Sequence, residues 1–407
     1  MVVAVRASSV RRANLSVVLD RLRRHGPASR SQLVAATGLT RSAIAGLVGE
    51  LESLRLVVEA APESDGSPGR PSPVVRVDDR HVGALAIEIF VDEIGVAVVA
   101  LDGSIVSSIR VARPRERVAV EATVSDVAAL VRRLPTTSLA GRRGQERRLV
   151  GVGVSVPGMI RESDNVVIAA PNLGWLDTPI GALLDEALQL GLPCRVGNDA
   201  DLGALAESRF GAGMDSDHML FVSGEVGVGG GFVVAGRPVT GHSGFAGEVG
   251  HFPVNQNGDT CRCGAIGCWE TEVGERALLR RAGLDEDGGG RAVDELLARV
   301  AAGERMARAA LDAEARWLAI GLAGLINVFD PDTVVLGGLL NRILPEIRDL
   351  LDAELGRLRY MGLDRELAVV GAALGPQAVT VGAAELAFST LVDDPAITAA
   401  LRPAAGP

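Results

Sequence analysis

In ANLSVVLDRLRRHGP, residues 13–27, the apolar side chains Leu15, Val18, Leu19 and Leu22 recur at the spacing of an amphipathic helix, and Gly26-Pro27 ends the run. Ser29-Arg30-Ser31-Gln32 has the pattern of a capping box: Ser29 can bond a free amide and Gln32 can reach back, opening a second helix that Gly38 stops. A third helix opens at Thr40 and places Ile44, Leu47, Val48, Leu51 and Leu54 on one face. LVVEA and VVRV, separated by a Gly/Pro/Ser-rich loop, then read as two short strands. From Gly83 the pattern changes. ALAIEIF, GVAVVAL and SIVSSIRV predict a β-meander, EATVSDVAALVRRL a helix and LVGVGVSVPG a buried strand. PCRVGND leads into the helical DADLGALAESRFG, MLFVSG runs into a Gly-rich loop and strand, and TVVLGG follows a long helix around ARWLAIGLAGLINVF. Interleaved strands and helices make the body α/β, and the repeated meander-plus-helix predicts two lobes with a cleft between them.

Two helices joined at a glycine, the second opening with Thr-Arg-Ser, form a helix-turn-helix, and the two short strands make it winged. Arginine placement favours a DNA reader over a protein-interaction module. Arg41 and Ser42 sit on the leading turn behind Thr40, Arg30 starts the preceding helix, and Arg70 lies in the Gly69-Arg70-Pro71 loop. Arg41 and Ser42 are expected on bases or phosphates, Arg70 in the minor groove or on the backbone. Behind them Ala43, Ala45, Gly46 and Gly49 offer little to read bases with, so specificity leans on the wing and on DNA shape. Charge agrees: residues 1–80 hold 12 Arg against 8 Asp plus Glu, a balance of +4, and the rest of the chain carries −14 of the total −10.

At 407 residues, 47% hydrophobic and 23% charged, the chain has room for two or three globular domains. MVVAVRASSVRR lacks the apolar core of a signal peptide, and the longest apolar run, WLAIGLAGLINVF, is too short to span a bilayer, so a cytoplasmic protein without a membrane partner is expected. There is no lysine, which excludes Schiff-base and P-loop chemistry. Three of the four cysteines, Cys261, Cys263 and Cys268, lie within eight positions of one another, ten residues after His251. In a reducing compartment such a cluster points to metal rather than disulfides. Four thiolate and imidazole ligands complete a closed, structural site; the alternative is a cluster of reduced buried thiols. Glu248, three residues before His251, and Glu270, two after Cys268, would then be held in fixed relation.

VSVPG at 154–158, APNLGW at 170–175, GND at 197–199, GEVGH at 247–251 and CRCGAIGCWE at 261–270 resemble the ROK family of repressors and sugar kinases over residues 83–390, and the appended helix-turn-helix resembles its repressor branch. That resemblance implies a winged helix-turn-helix at 1–80, a two-lobed actin-like, RNase H-like sugar-kinase fold with lobes at 83–200 and 201–390, and a tail at 391–407. It implies structural zinc on His251, Cys261, Cys263 and Cys268, and a sugar bound by Asn172, Asn198, Asp199, Glu248, His251 and Glu270. Asp199 stands where the kinases have their general base, here a vestigial one. Taken alone, Asn172 is a turn residue and Asp199 a helix cap.

The phosphate side departs from the family. Where a ROK kinase has an Asp-Gly-Gly-Thr turn this chain has Phe90 and Val91, then Asp92 and Glu93, downstream of Glu88, and a Gly-Thr-Gly turn becomes Glu225-Val226-Gly227. Side chains in place of glycine keep the backbone off a phosphate, and the carboxylates repel it. ATP is therefore not expected as a cofactor. The expectation is a non-enzymatic, sugar- or sugar-phosphate-responsive repressor that binds operator DNA as a homodimer or homotetramer; an active sugar kinase with a DNA-binding module is the alternative.

Overall fold

The N-terminal apolar stretches fold as their spacing predicts in a computed structural model that describes residues 7–60, 73–115, 118–139, 147–358 and 367–400. Helix α1 (Ala7–His25) buries Leu15, Val18, Leu19 and Leu22. It starts upstream of the apolar pattern because its first turns are held by tertiary ion pairs, Arg11 to Glu50 and Arg12 to Asp394. After strand β1 (Ala28–Ser29) comes α2 (Arg30–Thr37), with both halves of the capping box formed: Ser29 Oγ accepts from Gln32 N at 3.2 Å, and Ser29 N donates to Gln32 Oε1 at 2.7 Å. Gly38, at φ 69°, closes the helix with a bond to Val34 O that a side chain would strain. Thr40 caps α3 (Arg41–Ser53) by accepting from Ala43 N. β2 (Val57–Ala60) and β3 (Val74–Val77) pair antiparallel with β1 on the far edge of β3, giving the winged fold.

The body is one strand order built twice. In the first sheet β4 (Val82–Ile89), β5 (Glu93–Ala100) and β6 (Ile105–Ala112) form the antiparallel meander. Helices α4 (Val120–Arg133) and α5 (Thr136–Leu139) lead to β7 (Arg148–Val156), parallel to β4. A small sheet of β8 (Met159–Arg161), β9 (Val166–Ala170) and β10 (Trp175–Thr178) precedes α6 (Ile180–Leu188) and β11 (Cys194–Asn198), which completes the order β11-β7-β4-β5-β6. Leu85, Ile87 and Ile89 pack one face against α4 and α6. Helix α7 (Asp199–Phe210) then crosses to the second sheet.

There β12 (His218–Gly224), β13 (Val228–Val234) and β14 (Arg237–Pro238) repeat the meander. The metal-ligand loop, α8 (Trp269–Glu272), α9 (Glu275–Arg281), α10 (Gly289–Ala301) and the long α11 (Arg305–Phe329) lie between it and β15 (Thr333–Gly337). After α12 (Gly338–Leu358), β16 (Ala368–Gly371) completes the order β14-β13-β12-β15-β16. The final α13 (Ala378–Asp393) returns to the first sheet and packs on β4, β7 and β11, so the segment 201–390 contributes to both halves. It comes close because that face is small: a Cβ on Gly153 of β7 would collide with Ala383 O. On the same face, Val18, Leu22, Ala84, Ala86 and Phe388 belong to one continuous core that joins the winged module to the body.

Candidate functional site

The duplicated topology brings the β4–β5 and β12–β13 turns, the head of α7 and the metal-ligand loop to one cleft. At the α7 end Asn198 is the cap: its Oδ1 accepts from Ala200 N at 2.8 Å and Asp201 N at 3.2 Å, and its Nδ2 donates to Gly158 O at 3.0 Å. The cap expected at Asp199 thus falls one residue earlier, because Asn198 holds the extended conformation that the cap position requires. Asp199 Oδ1 also accepts from Ala200 N, at 3.0 Å. Burial, helped by the nearby Glu248, raises the Asp199 carboxyl to about 6.

From there the expected residues form a chain across the cleft. His251 Nε2 lies 3.6 Å from Glu248 Oε2, and its Nδ1 lies 3.7 Å from Glu270 Oε1. Asn172 sits in the turn between β9 and β10 and accepts from Arg262 Nη1 of the metal-ligand loop at 2.7 Å. A Cβ added to Gly227 would stand 2.6 Å from Glu270 Oε2 and 3.8 Å from Asn172 Nδ2, so the bare backbone there is what lets the two sides meet. Sequence reasoning passed over Asp201, which lines the cavity with Asn198, Glu162 and Glu248 and whose carboxyl is pushed up to about 8 by burial and its acidic neighbours. The signal was present two positions past Asp199, in the repeated acid of DAD. Arg262, between two cysteines, was passed over as well.

Next to this pocket the donor atoms of His251, Cys261, Cys263 and Cys268 all lie within 4.8 Å of one another. Cys261 Sγ is 3.7 Å from His251 Nδ1, and Cys263 Sγ is 3.7 Å from Cys268 Sγ. A tetrahedron with metal–sulfur bonds of about 2.3 Å has edges of roughly 3.8 Å, so the four side chains fit a tetrahedral ion and can hold a metal. Cys261 also points at Glu270 Oε1, 2.8 Å away, which ties the metal cluster directly to the pocket. Trp269, fully buried, and Arg281, bonded to Glu272 and Glu314, brace the loop against α11.

The opposite end of the cleft is filled by the protein's own charges. Arg115 Nε and Nη2 donate to Asp92 Oδ2 at 2.9 and 2.7 Å, and its Nη1 donates to Glu275 Oε1 of α9 at 2.6 Å, so one guanidinium bridges the two halves. Arg113 donates to the carbonyls of Phe90 and Val91. Arg110 reaches Glu88 and Glu93, and Thr380 of α13 also donates to Glu88. Glu225 lies against Gly338 at the head of α12, where a Cβ would collide with its Oε1. Burial, with Asp199, Glu275 and Asp92 nearby, raises its carboxyl to about 8. Sequence reasoning assigned no role to the arginines of RPRER; Arg113 and Arg115 are paired with the turn they face.

In the winged module Arg41 and Ser42 are exposed on the first turn of α3, while Thr40 is spent on its cap. Arg30 is exposed and paired with Glu59 of β2 at 2.8 Å. Arg70 lies outside the described residues. A Cβ on Gly46 or Gly49 would meet nothing within 4 Å, so the recognition face is as bare as the sequence implied. Among the described residues no helix is long and apolar enough to cross a membrane.

The ROK family model matches residues 84–390, and the chain belongs to that family. Its class is therefore that of proteins built on the ROK sugar-kinase fold, here with an N-terminal winged module. The chain is 28% identical over 385 residues to the xylose repressor of Bacillus subtilis strain 168, covering 94% of this chain and 97% of that one. A ROK family transcriptional regulator described as a homologue of the Escherichia coli MLC protein superposes with TM-score 0.76 over 95% of this chain and 97% of its own, at 23% identity, a likeness of fold. The ROK glucokinase from Streptomyces griseus, solved with glucose and AMPPNP, superposes with TM-score 0.64 at 30% identity and matches 75% of this chain and 99% of its own.

Proposed function

We propose that the protein is a sugar-responsive transcriptional repressor: the winged module holds operator DNA through Arg41 and Ser42, the acid-lined pocket binds the sugar, and the phosphate side no longer serves a nucleotide. The observation that carries this reading is the contrast inside one cleft. One end offers hydrogen-bond acceptors around an open space; the other is closed by Asp92, Arg115, Glu275 and Glu225. Carboxylates at Asp199, Glu248 and Glu270 accept from sugar hydroxyls and repel phosphate, and Asp201, pushed up to about 8, adds a protonated carboxyl that can also donate; the set favours a neutral sugar over a sugar phosphate. Zinc suits the three thiols and one imidazole; once bound it would turn the thiols into thiolate ligands and hold Glu248, His251 and Glu270 in one arrangement. Operator binding as a homodimer or homotetramer follows from the symmetry that helix-turn-helix readers share with their sites.

Arg30, Thr40 and Arg70 are assigned supporting contacts: Arg30 to a backbone phosphate, Arg70 to the minor groove or the backbone, and Thr40 by capping α3 and so fixing the head of the helix toward the DNA. The test is fluorescence anisotropy of the purified chain on its upstream DNA, titrated with D-xylose, D-glucose, N-acetylglucosamine and glucose 6-phosphate. Release by one neutral sugar without ATP is the expected result, and an Arg41→Ala chain should bind DNA about tenfold or more weakly while keeping its sugar affinity. A second reading, a working sugar kinase, draws on Asp199, whose carboxyl near 6 suits a general base. Sugar-dependent ADP release would establish it and end the first reading.

A further inference from the structure

Two elements that line the sugar pocket end against the DNA-binding module. Helix α7 begins at Asn198, Asp199 and Asp201 and finishes, about 18 Å away at 1.5 Å per residue, with Arg209 and Phe210. Strand β13 contributes Gly229 and Gly230 to the pocket, and the turn at its other end approaches α1: a Cβ on Gly236 would fall 2.7 Å from Arg24 Nη1.

At that far side α1 sends Arg23 into the body, where its side chain has no exposed surface. Arg23 Nε donates to Leu101 O at 2.7 Å, its Nη2 donates to Glu385 Oε1 of α13, and its guanidinium lies 5.1 Å from the Phe388 ring centroid and 5.8 Å from that of Phe210. The other oxygen of Glu385 accepts from Arg209 Nη1 of α7 at 2.8 Å, and Arg209 also lies 3.5 Å from Asp20 of α1. One buried carboxylate is thus shared between the helix that senses the pocket and the helix that carries the DNA reader.

The seating of α7 links its two ends. A Cβ on Gly382 of α13 would collide with Leu202 O, and one on Gly231 of β13 would lie 2.7 Å from Ala204 Cβ, so α7 is packed closely against both. As one continuous helix it can carry a displacement at Asp199 to Arg209. Arg23 Nη1 and Arg209 Nε are buried with no hydrogen-bond partner among the described residues. These two spare donors leave the network room to re-pair when α7 or α1 shifts.

We propose that Glu385 is the relay between sensor and reader: by holding Arg209 of α7 and Arg23 of α1 on its two oxygens, it converts the ligand state of the sugar pocket into the position of the winged module. The relay rests on the repressor reading above and adds to it the route of coupling. Glu385 touches neither sugar nor DNA, and its role is positioning.

The experiment measures two affinities in the full chain, for upstream duplex DNA by anisotropy and for D-xylose and D-glucose by calorimetry, in wild type, Glu385→Gln, Arg209→Met and Arg209→Lys. In wild type, saturating sugar should weaken DNA binding by about tenfold or more. In Glu385→Gln and Arg209→Met that factor should shrink to about twofold while sugar affinity stays within about threefold of wild type, and Arg209→Lys should restore most of it. Undiminished release in both variants, or identical behaviour of Arg209→Met and Arg209→Lys, overturns the relay while leaving the repressor reading intact. A wild-type chain that binds DNA but answers to no sugar overturns both. Should Glu385→Gln fail to fold, hydrogen exchange on wild type decides: sugar should change protection in residues 19–25 and 205–210 but not in α10, and an unchanged α1 refutes the relay.

Discussion

The β4–β5 turn and the β12–β13 turn occupy equivalent places in two sheets of the same strand order, and both face the cleft with carboxylates. A short distance away, around the head of α7 and the metal-ligand loop, carboxylates are just as dense. The difference lies in what answers them. On the β4–β5 side Arg110, Arg113 and Arg115 are already bonded to Glu88, Glu93 and Asp92 and to the backbone, while Glu225 of the β12–β13 turn is buried and raised to about 8. In the pocket Arg262 bonds Asn172, and Asp199, Asp201 and Glu248 are held above the ordinary carboxyl range by burial and mutual repulsion. A carboxylate answered by arginine is a structural tie; a buried cluster of acids held apart by mutual repulsion is available to exchange hydrogen bonds with a ligand.

That contrast can be broken most severely through the metal cluster. Cys268→Ser, or exhaustive chelation, should abolish metal content by elemental analysis and lower sugar affinity by about a hundredfold or more, because the zinc proposed for this site would contribute folding free energy outright. The DNA-binding module, with its own helices and wing, should keep its secondary structure by circular dichroism.

Arg115→Met strikes the other end. It leaves Glu275, 7% exposed in its side chain, and Asp92 without their shared cation, and stability by denaturant titration should fall by about 3 kcal/mol. Sugar affinity should hold within about twofold, since the bridge lies outside the pocket. A large loss of sugar binding would show that the two ends are not separable. Glu248→Gln should have the reverse profile, with sugar affinity lowered by about 2 kcal/mol through loss of a charged acceptor and melting temperature nearly unchanged.

The smallest effect expected is on pH dependence. Asp199 stands at about 6, and Asp201 and Glu225 stand at about 8. A carboxyl raised in this way makes the folded chain hold protons that the unfolded chain has released. Its contribution to stability is therefore full below about pH 4 and is lost as the pH rises through 6 to 8. Melting temperature without sugar should decline across that window, and Glu225→Gln should make the decline shallower. An unchanged slope in Glu225→Gln would show that Glu225 does not take up its proton on folding.

Much of this was legible in the chain because it depends on neighbours in sequence. The capping box at Ser29 and Gln32, the turn at Gly38, the cap at Thr40 and the apolar face of α3 are decided within a few residues, and the meanders follow from apolar runs of seven or eight residues broken by turns. The His251, Cys261, Cys263 and Cys268 cluster was legible for the same reason, since ligands on one loop carry their geometry in their spacing. The shift of the α7 cap from Asp199 to Asn198 was not, because both residue types cap helices and only the path of the backbone out of β11 separates them.

The sequence by itself determined the local elements, the winged module, the repeated α/β pattern and the four residues that can hold a metal. Tertiary structure alone decided the pairings between residues far apart in the chain: Arg115 with Asp92 and Glu275, Arg262 with Asn172, Glu88 with Thr380, and Glu385 with both Arg209 and Arg23. Partner choice for a charge depends on which surfaces packing brings within a few ångströms and strips of water, and local periodicity carries no record of that. The return of α13 to the first sheet made the last two of these pairings, setting Thr380 against Glu88 and Glu385 between α7 and α1.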